Sequence, residues 1–195
     1  MMLKNTSMLL CGEDLGVIPA VCTQTLKEFG IPGNDVQRWV KDWNVRHDFL
    51  EPDEYRQVSV AMLSTHDTTT FAAWWENEAG TVDEQLFMRK CSERGIAYDD
   101  VKGKLFDPAR SRHGRLRWQE GVVSCDMLAA TLGKRREEVM DFIDMYENSY
   151  LEKEKLWKHF KLKEPMREKA DAEIIACALH VTLQSRSLFC IQLIV

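Results

Sequence analysis

No apolar run in this 195-residue chain comes near the roughly 20 residues that a membrane-crossing helix requires. Residues 8–11 are apolar but too few, and the run at 188–195 is only eight residues long. No longer apolar stretch with a small-residue cleavage site follows the first of these, as a signal peptide would need. The six cysteines, Cys11, Cys22, Cys91, Cys125, Cys177 and Cys190, include no CxxC pair. No histidine stands at a metal-ligand interval from them, so buried free thiols are expected and a structural zinc site is not. Positive charge is not in excess either: the net charge is −5. That removes the electrostatic case for nucleic acid or an anionic membrane as a general partner. Internal repeats, low-complexity stretches and a convincing linker are also missing. What remains is a cytoplasmic globular protein, read as one domain over residues 1–195.

What is present fits that class. Hydrophobic residues make up 45% of the chain and charged residues 29%, the profile of an ordinary soluble fold. From residue 8 onward, short apolar runs alternate with amphipathic stretches, the order of an α/β protein. Residues 8–11, 36–40, 58–63 and 188–195 read as strands. The last is strongly apolar without alternation, as a sheet covered on both faces requires. Pro19 opens and Gly30 closes a helix whose inward stripe would be Val21, Leu26 and Phe29. A second helix is predicted over 69–78, and residues 81–94 read as a third, stopped by Gly95. Residues 107–120 contain Pro108, Gly114 and several arginines and read as a loop. Residues 132–150 carry Val139, Phe142, Ile143, Tyr146 and Tyr150 at spacings of three and four, a helical stripe. Between 134 and 173, ten basic and eleven acidic residues balance, which points to a solvated helical surface. A last helix is predicted over 166–183, with Ile174, Ala178 and Val181 on one side. The stretch 81–165 is then a helical insertion.

Two strand ends concentrate polar chemistry. LLCGEDLGVIP puts Glu13 and Asp14 directly after one strand, and VAMLSTHDTTT puts His66 and Asp67 after another. Carboxylates delivered from different strand ends are the equipment for cleaving a glycosidic bond, one as acid and one to support positive charge developing on the sugar. The residues alone leave plainer roles open. Asp14 could cap the following helix, His66 could be a satisfied core histidine, and Trp74 and Trp75 could be helix core.

The wording of these motifs resembles glycoside hydrolase family 77, the amylomaltases or disproportionating enzymes, which are 4-alpha-glucanotransferases. CGEDLGVIP followed by FGIPG is similar to the acid/base motif of that family. STHDTTT followed by the Trp74 and Trp75 pair is similar to its second carboxylate motif. The resemblance implies an α/β fold, a partial (β/α)8 TIM barrel consisting of the C-terminal half with about four strands. It implies retaining transfer of α-1,4-glucan segments between maltooligosaccharides, with maltooligosaccharides or α-glucan as partners. No metal and no organic cofactor are implied, since carboxylates supply both proton transfer and covalent capture. Glu13 would be the catalytic acid/base, its pKa raised by neighbouring carboxylates and partial burial. Asp67 would be a second catalytic carboxylate gripping sugar hydroxyls, with His66 hydrogen-bonding beside it. Asp14, Trp74 and Trp75 complete the candidate substrate-binding set. Glu13 and Asp67 are expected to face one pocket at the same end of a parallel sheet.

The pattern departs from the family in one place. A retaining transferase needs an aspartate nucleophile, which the family carries on a strand before the Glu13 strand, and the twelve residues preceding Glu13 contain no aspartate. The chain is therefore expected to be a fragment lacking the nucleophile, inactive alone and completed by the missing N-terminal half of the barrel. The alternative is a non-catalytic half barrel kept for glucan binding or assembly. Arg110, Arg112, Arg115 and Arg117, with His113 and Trp118, are residues that nucleic-acid sites use. In an acidic chain such a loop is expected to pair with carboxylates instead, so no nucleic-acid partner is expected.

Overall fold

The computed structural model describes residues 5–122 and 124–192. In chain order they form α1 (Ala20–Phe29), β1 (Gly33–Val36), β2 (Lys41–Asp42), β3 (Asp48–Phe49), β4 (Ser59–Met62), α2 (Phe71–Asn77), β5 (Thr81–Asp83), α3 (Glu84–Glu93), α4 (Tyr98–Leu105), β6 (Arg115–Arg117), α5 (Cys125–Thr131), α6 (Met140–Ser149), α7 (Glu152–His159), α8 (Ala172–Leu183) and β7 (Phe189–Cys190). The chain divides into two compact units. The first takes residues 1–41, 49–72 and 170–195, and the second takes 42–48 and 73–169. Among the described residues no helix is long and apolar enough to cross a membrane.

In the first unit, β1, β4 and β7 form a parallel sheet in that order. Gly33 lies opposite Ser59 and Val36 opposite Met62, while Val60 and Ala61 pair with Phe189 and Cys190. All four residues of β4 are buried, as the continuous apolar run of a covered parallel strand requires. Val36, Val60 and Met62 pack together, with Leu15 and Phe189 against them. The expected stripe of α8 is in place: Ile174, Ala178 and Val181 are buried. The helix starts at Ala172, not 166, because the Asp171 carboxylate accepts the backbone N–H groups of Glu173 and Ile174 at 3.1 Å each.

Several expectations are corrected. The strand read at 36–40 lies earlier. β1 ends at Val36, and the chain turns into a 3₁₀ turn at Gln37–Trp39. There the buried Gln37 side chain donates to the Ala178 carbonyl at 3.2 Å. The run 8–11 joins no ladder: Met8 is 77% and Leu9 58% exposed. Helix α1 buries no residue, Val21 and Phe29 are exposed, and only Leu26 turns inward, close to Gly12. The last strand shortens to β7, and residues 193–195 of its expected span lie outside the described residues. The cysteines are all free but Cys91 alone is buried, while Cys11 and Cys22 are exposed.

In the second unit, β5 and β6 pair antiparallel, with Val82 opposite Leu116. Residues 81–83 of the expected helix are thus a strand, and part of the expected loop is its partner. The β-branched pair Thr81 and Val82 suits the strand, and Asp83 starts α3 by accepting the Leu86 N–H at 2.8 Å. Beside β6, Arg112 and Arg115 exchange backbone hydrogen bonds around His113 and Gly114, both at positive φ. That is the two-residue turn a hairpin favours. The core centres on Phe87, whose ring meets Phe106 at 4.8 Å and Phe142 at 5.2 Å, both edge-on. Such pairs add about 0.5–1.5 kcal/mol each to the burial of the rings. The stripe Val139, Phe142, Ile143 and Tyr146 closes this core, with Tyr150 against it. The Trp118 indole N–H donates to Ser149 at 2.7 Å, so the buried ring leaves no donor unpaired.

Candidate active site

Glu13 sits in a loop pinned at both sides. The Gly12 N–H donates to the Pro32 carbonyl at 2.8 Å, and the Asp14 carboxylate accepts the Asn34 N–H at 2.8 Å. Arg56 completes the arrangement: Nη1 donates to Asp14, Nε donates to Asp35 at 2.7 Å, and Nη2 donates to the Asn34 carbonyl at 2.7 Å. The Asp14 side chain is 2% exposed. This corrects its expected substrate-binding role, because every polar contact it makes is internal and sugar hydroxyls have no way to it. It does not cap α1 either, whose N-cap is Pro19. The same contact explains the glycine of the FGIPG motif, since a Cβ on Gly33 would stand 2.5 Å from the Asp14 carboxylate. Glu13 itself is exposed, without the partial burial expected of it.

His66 and Asp67 occupy the turn that follows β4, and both are exposed. The turn is tied off locally, with Thr65 N–H donating to the Thr68 hydroxyl at 3.0 Å. From beneath, Arg38 staples its two ends. Its guanidinium donates to Ser64 Oγ at 2.8 Å, to Thr69 Oγ1 at 2.9 Å and to the Thr69 carbonyl at 2.7 Å. Arg38 is only 3% exposed. A buried guanidinium is costly unless its donors are used, so the contacts fix the backbone on either side of His66 and Asp67. Sequence reasoning missed this residue; the signal was an arginine inside the apolar stretch VQRW.

The Thr65 hydroxyl donates to Asp67 Oδ1 at 2.6 Å. That bond first, then the Asp67 N–H and the neighbouring His66, holds the Asp67 carboxyl below the usual carboxylate range. A group that is lowered stays ionised to lower pH, so removing the donor must move its titration upward. Thr65→Val is expected to shift the Asp67 titration to higher pH, and Thr65→Ser to leave it near the native position. Carboxyl NMR titration reads this directly; coincident curves for native and Val proteins would disprove it.

The two carboxylates sit in separate loops of the first unit. Gly12 and Asp14 are tied to Pro32 and Asn34, at the start of β1, whereas His66 and Asp67 come after the end of β4. β1 and β4 run parallel, with Gly33 opposite Ser59 and Val36 opposite Met62, and Leu15, two residues after Glu13, packs against the cluster of Val36, Val60 and Met62. Residues 8–11 pair with no strand, and the Glu13 loop is placed by Gly12 and Asp14.

Trp74 and Trp75 are 5% and 0% exposed. The Trp75 ring packs on Trp157 and Phe160 at 6.2 and 6.3 Å, its N–H donates to the Arg167 carbonyl at 3.0 Å, and Lys153 Nζ stands 5.4 Å from its centroid. Both indoles are core residues, which corrects their reading as a platform for sugar. Trp118 is likewise buried, so its ring is not offered for base stacking beside the arginine cluster. Among the described residues, His47, Asp144 and Glu147 could hold a metal ion, each offering a donor atom within 4.8 Å of the others. His47 Nε2 and Glu147 Oε2 already pair at 3.0 Å.

A family model described as 4-alpha-glucanotransferase, of glycoside hydrolase family 77, matches residues 1–194. The chain belongs to that family. It is 46% identical over 76 residues to a 4-alpha-glucanotransferase of Chlamydia pneumoniae, a match covering 39% of this chain and 14% of the relative. It is 39% identical over 79 residues to the 4-alpha-glucanotransferase DPE2 of Oryza sativa subsp. japonica, covering 40% of this chain and 8% of that protein. The chain thus spans a small part of the length of these relatives. Its structure aligns with the crystal structure of amylomaltase from Corynebacterium glutamicum at a TM-score of 0.46 and 18% identity, over 95% of this chain and 21% of that one.

Proposed function

We propose that this chain serves a 4-alpha-glucanotransferase reaction in the cytoplasm, moving α-1,4-glucan segments between maltooligosaccharides with retention at the anomeric carbon. The observation that carries the reading is the family match over residues 1–194. It is supported by the turn after β4, which presents an exposed Asp67 held in its ionised form on a buried arginine support. In this proposal the parallel sheet is part of a (β/α)8 barrel, the whole chain is one partial catalytic domain, and residues 81–165 are a helical insertion.

The reaction has two steps. Glu13 gives its proton to the glycosidic oxygen as an aspartate nucleophile bonds the anomeric carbon, and the shortened glucan leaves. Glu13 then takes the proton of an acceptor's 4-hydroxyl as that oxygen displaces the aspartate. Asp67 grips hydroxyls of the distorted sugar, with His66 beside it. No residue of this chain is assigned as the nucleophile, so the isolated chain is inactive in this reading. No metal or organic cofactor enters the scheme.

A second reading, a non-catalytic module for glucan binding or assembly, draws on one observation: none of the twelve residues before Glu13 is the aspartate that a retaining transfer requires. Asp67→Asn separates the two. In the natural protein that carries this chain, the transfer reading expects glucan transfer to fall by about 10²–10³-fold, the cost of removing one group that stabilises developing charge. Binding to glucan should persist. Absence of transfer in the unaltered protein, with glucan binding intact, would favour the second reading.

A further inference from the structure

The arginine cluster that the proposed reaction leaves unused lines a cavity of about 720 Å³ within the second unit. We infer that this cavity is a binding site for a phosphate group, carried by a sugar phosphate or by inorganic phosphate, with Arg117 as its anchor.

The hairpin explains how the charges converge. On a strand, alternate residues share a face. Leu116 points into the core, so Arg115 and Arg117 project together from the other side of β6, and Arg110, Arg112 and His113 reach the same cavity from the preceding segment. Arg115 is already engaged, its Nε donating to Thr81 Oγ1 at 2.9 Å, with Asp83 at 3.8 Å. Arg117 is different. Among the described residues its half-buried guanidinium has no hydrogen bond and no ion pair. Desolvation first, and then the like charge of Arg110, push it below the usual arginine range, which an incoming anion would reverse. The backbone is shaped around it: Gly80 is at positive φ, and a Cβ there would sit 3.3 Å from Arg117 Nη1.

Carboxylates also stand near: Glu168, Glu154 and Glu152 act on Arg117 through their charge, none of them within ion-pair distance of its guanidinium. Glu168 pairs with Lys153 at 2.9 Å and stands 3.9 Å from Arg110. Glu120 is 94% exposed in its side chain and 3.5 Å from Arg110. Glu76 and Glu78 take part in interactions of their own. A planar guanidinium with free donors matches a phosphate's oxygens two at a time, and Asn77 adds a neutral donor on the cavity wall. The volume exceeds what one inorganic phosphate fills, which favours a phosphate ester of a sugar.

Isothermal titration of the full chain with glucose 6-phosphate, inorganic phosphate and glucose tests this. Saturable binding is expected for both phosphate ligands, tighter for the ester and weaker with added salt, as screening of exposed charge requires. Glucose should bind at least about 10-fold more weakly than its phosphate, the loss expected for charge-assisted hydrogen bonds. Arg117→Gln should weaken the phosphate ligands by a similar factor. Arg112→Gln, on the exposed turn where folding is not at stake, should weaken them about 3-fold or more. Failure of both phosphate ligands to bind would overturn the proposal. So would glucose binding as tightly as its phosphate, or affinities unchanged in Arg112→Gln and a folded Arg117→Gln. Equal affinity for ester and inorganic phosphate would assign the recognition to the phosphate alone.

Discussion

Glu13→Gln in the natural protein is expected to lower glucan transfer by about 10²–10⁴-fold, the usual worth of a positioned acid/base. Glutamine keeps the size and hydrogen-bonding shape of the side chain and loses only the proton that must reach the leaving oxygen. Glu13 is exposed, so its replacement breaks no packing, and the thermal midpoint should stay within the small range typical of surface substitutions. Glucan binding should also survive, which places the loss in turnover and not in affinity. Transfer within a few-fold of the native rate would take the acid/base role away from Glu13. A large fall in stability would show that the side chain is used structurally, as Asp14 beside it is.

Trp75→Ala should have the largest effect on folding. The side chain is fully buried, and truncating a buried tryptophan costs about 3–5 kcal/mol once the lost burial and the residual cavity are counted. The Arg167 carbonyl would also lose its indole donor, and the rings of Trp157 and Phe160 would lose a neighbour. Denaturant unfolding of the chain measures this. A residue serving as a sugar platform would behave in the opposite way, losing glucan affinity while leaving stability almost unchanged. A destabilisation under about 1 kcal/mol would restore that reading of Trp75.

These two residues show how far the sequence could be read. Covered elements were legible because burial writes itself into composition. The apolar run of β4, the Ile174, Ala178 and Val181 side of α8 and the Phe142, Ile143 and Tyr146 stripe of α6 all follow from periodicity or from its absence. Contacts between distant residues were not. Antiparallel pairing of Thr81–Asp83 with Arg115–Arg117 spans more than thirty residues, and neither partner alone looks like a strand. The clue was His113 followed by Gly114, the residues that accept the turn. Motif wording pointed to the family, yet it gave Asp14 a place in the substrate site beside the catalytic Glu13. Arg56, some forty residues on, takes Asp14 into the structure and leaves Glu13 outside. Aromatic pairs such as Trp74 and Trp75 carry no mark that distinguishes a platform from a core; only the identity of what packs on them does.

The central assignment meets its most direct test in one assay, product chromatography after incubating the natural protein that carries this chain with maltotriose. Transfer predicts glucose together with maltodextrins longer than maltotriose, because each donor segment is handed to another sugar's 4-hydroxyl. Both product classes should disappear together in Glu13→Gln. Maltose and glucose without any longer product would mean that water is the acceptor, and the protein a hydrolase. No change in maltotriose at all, from a folded protein that still binds glucan, would contradict the catalytic account itself.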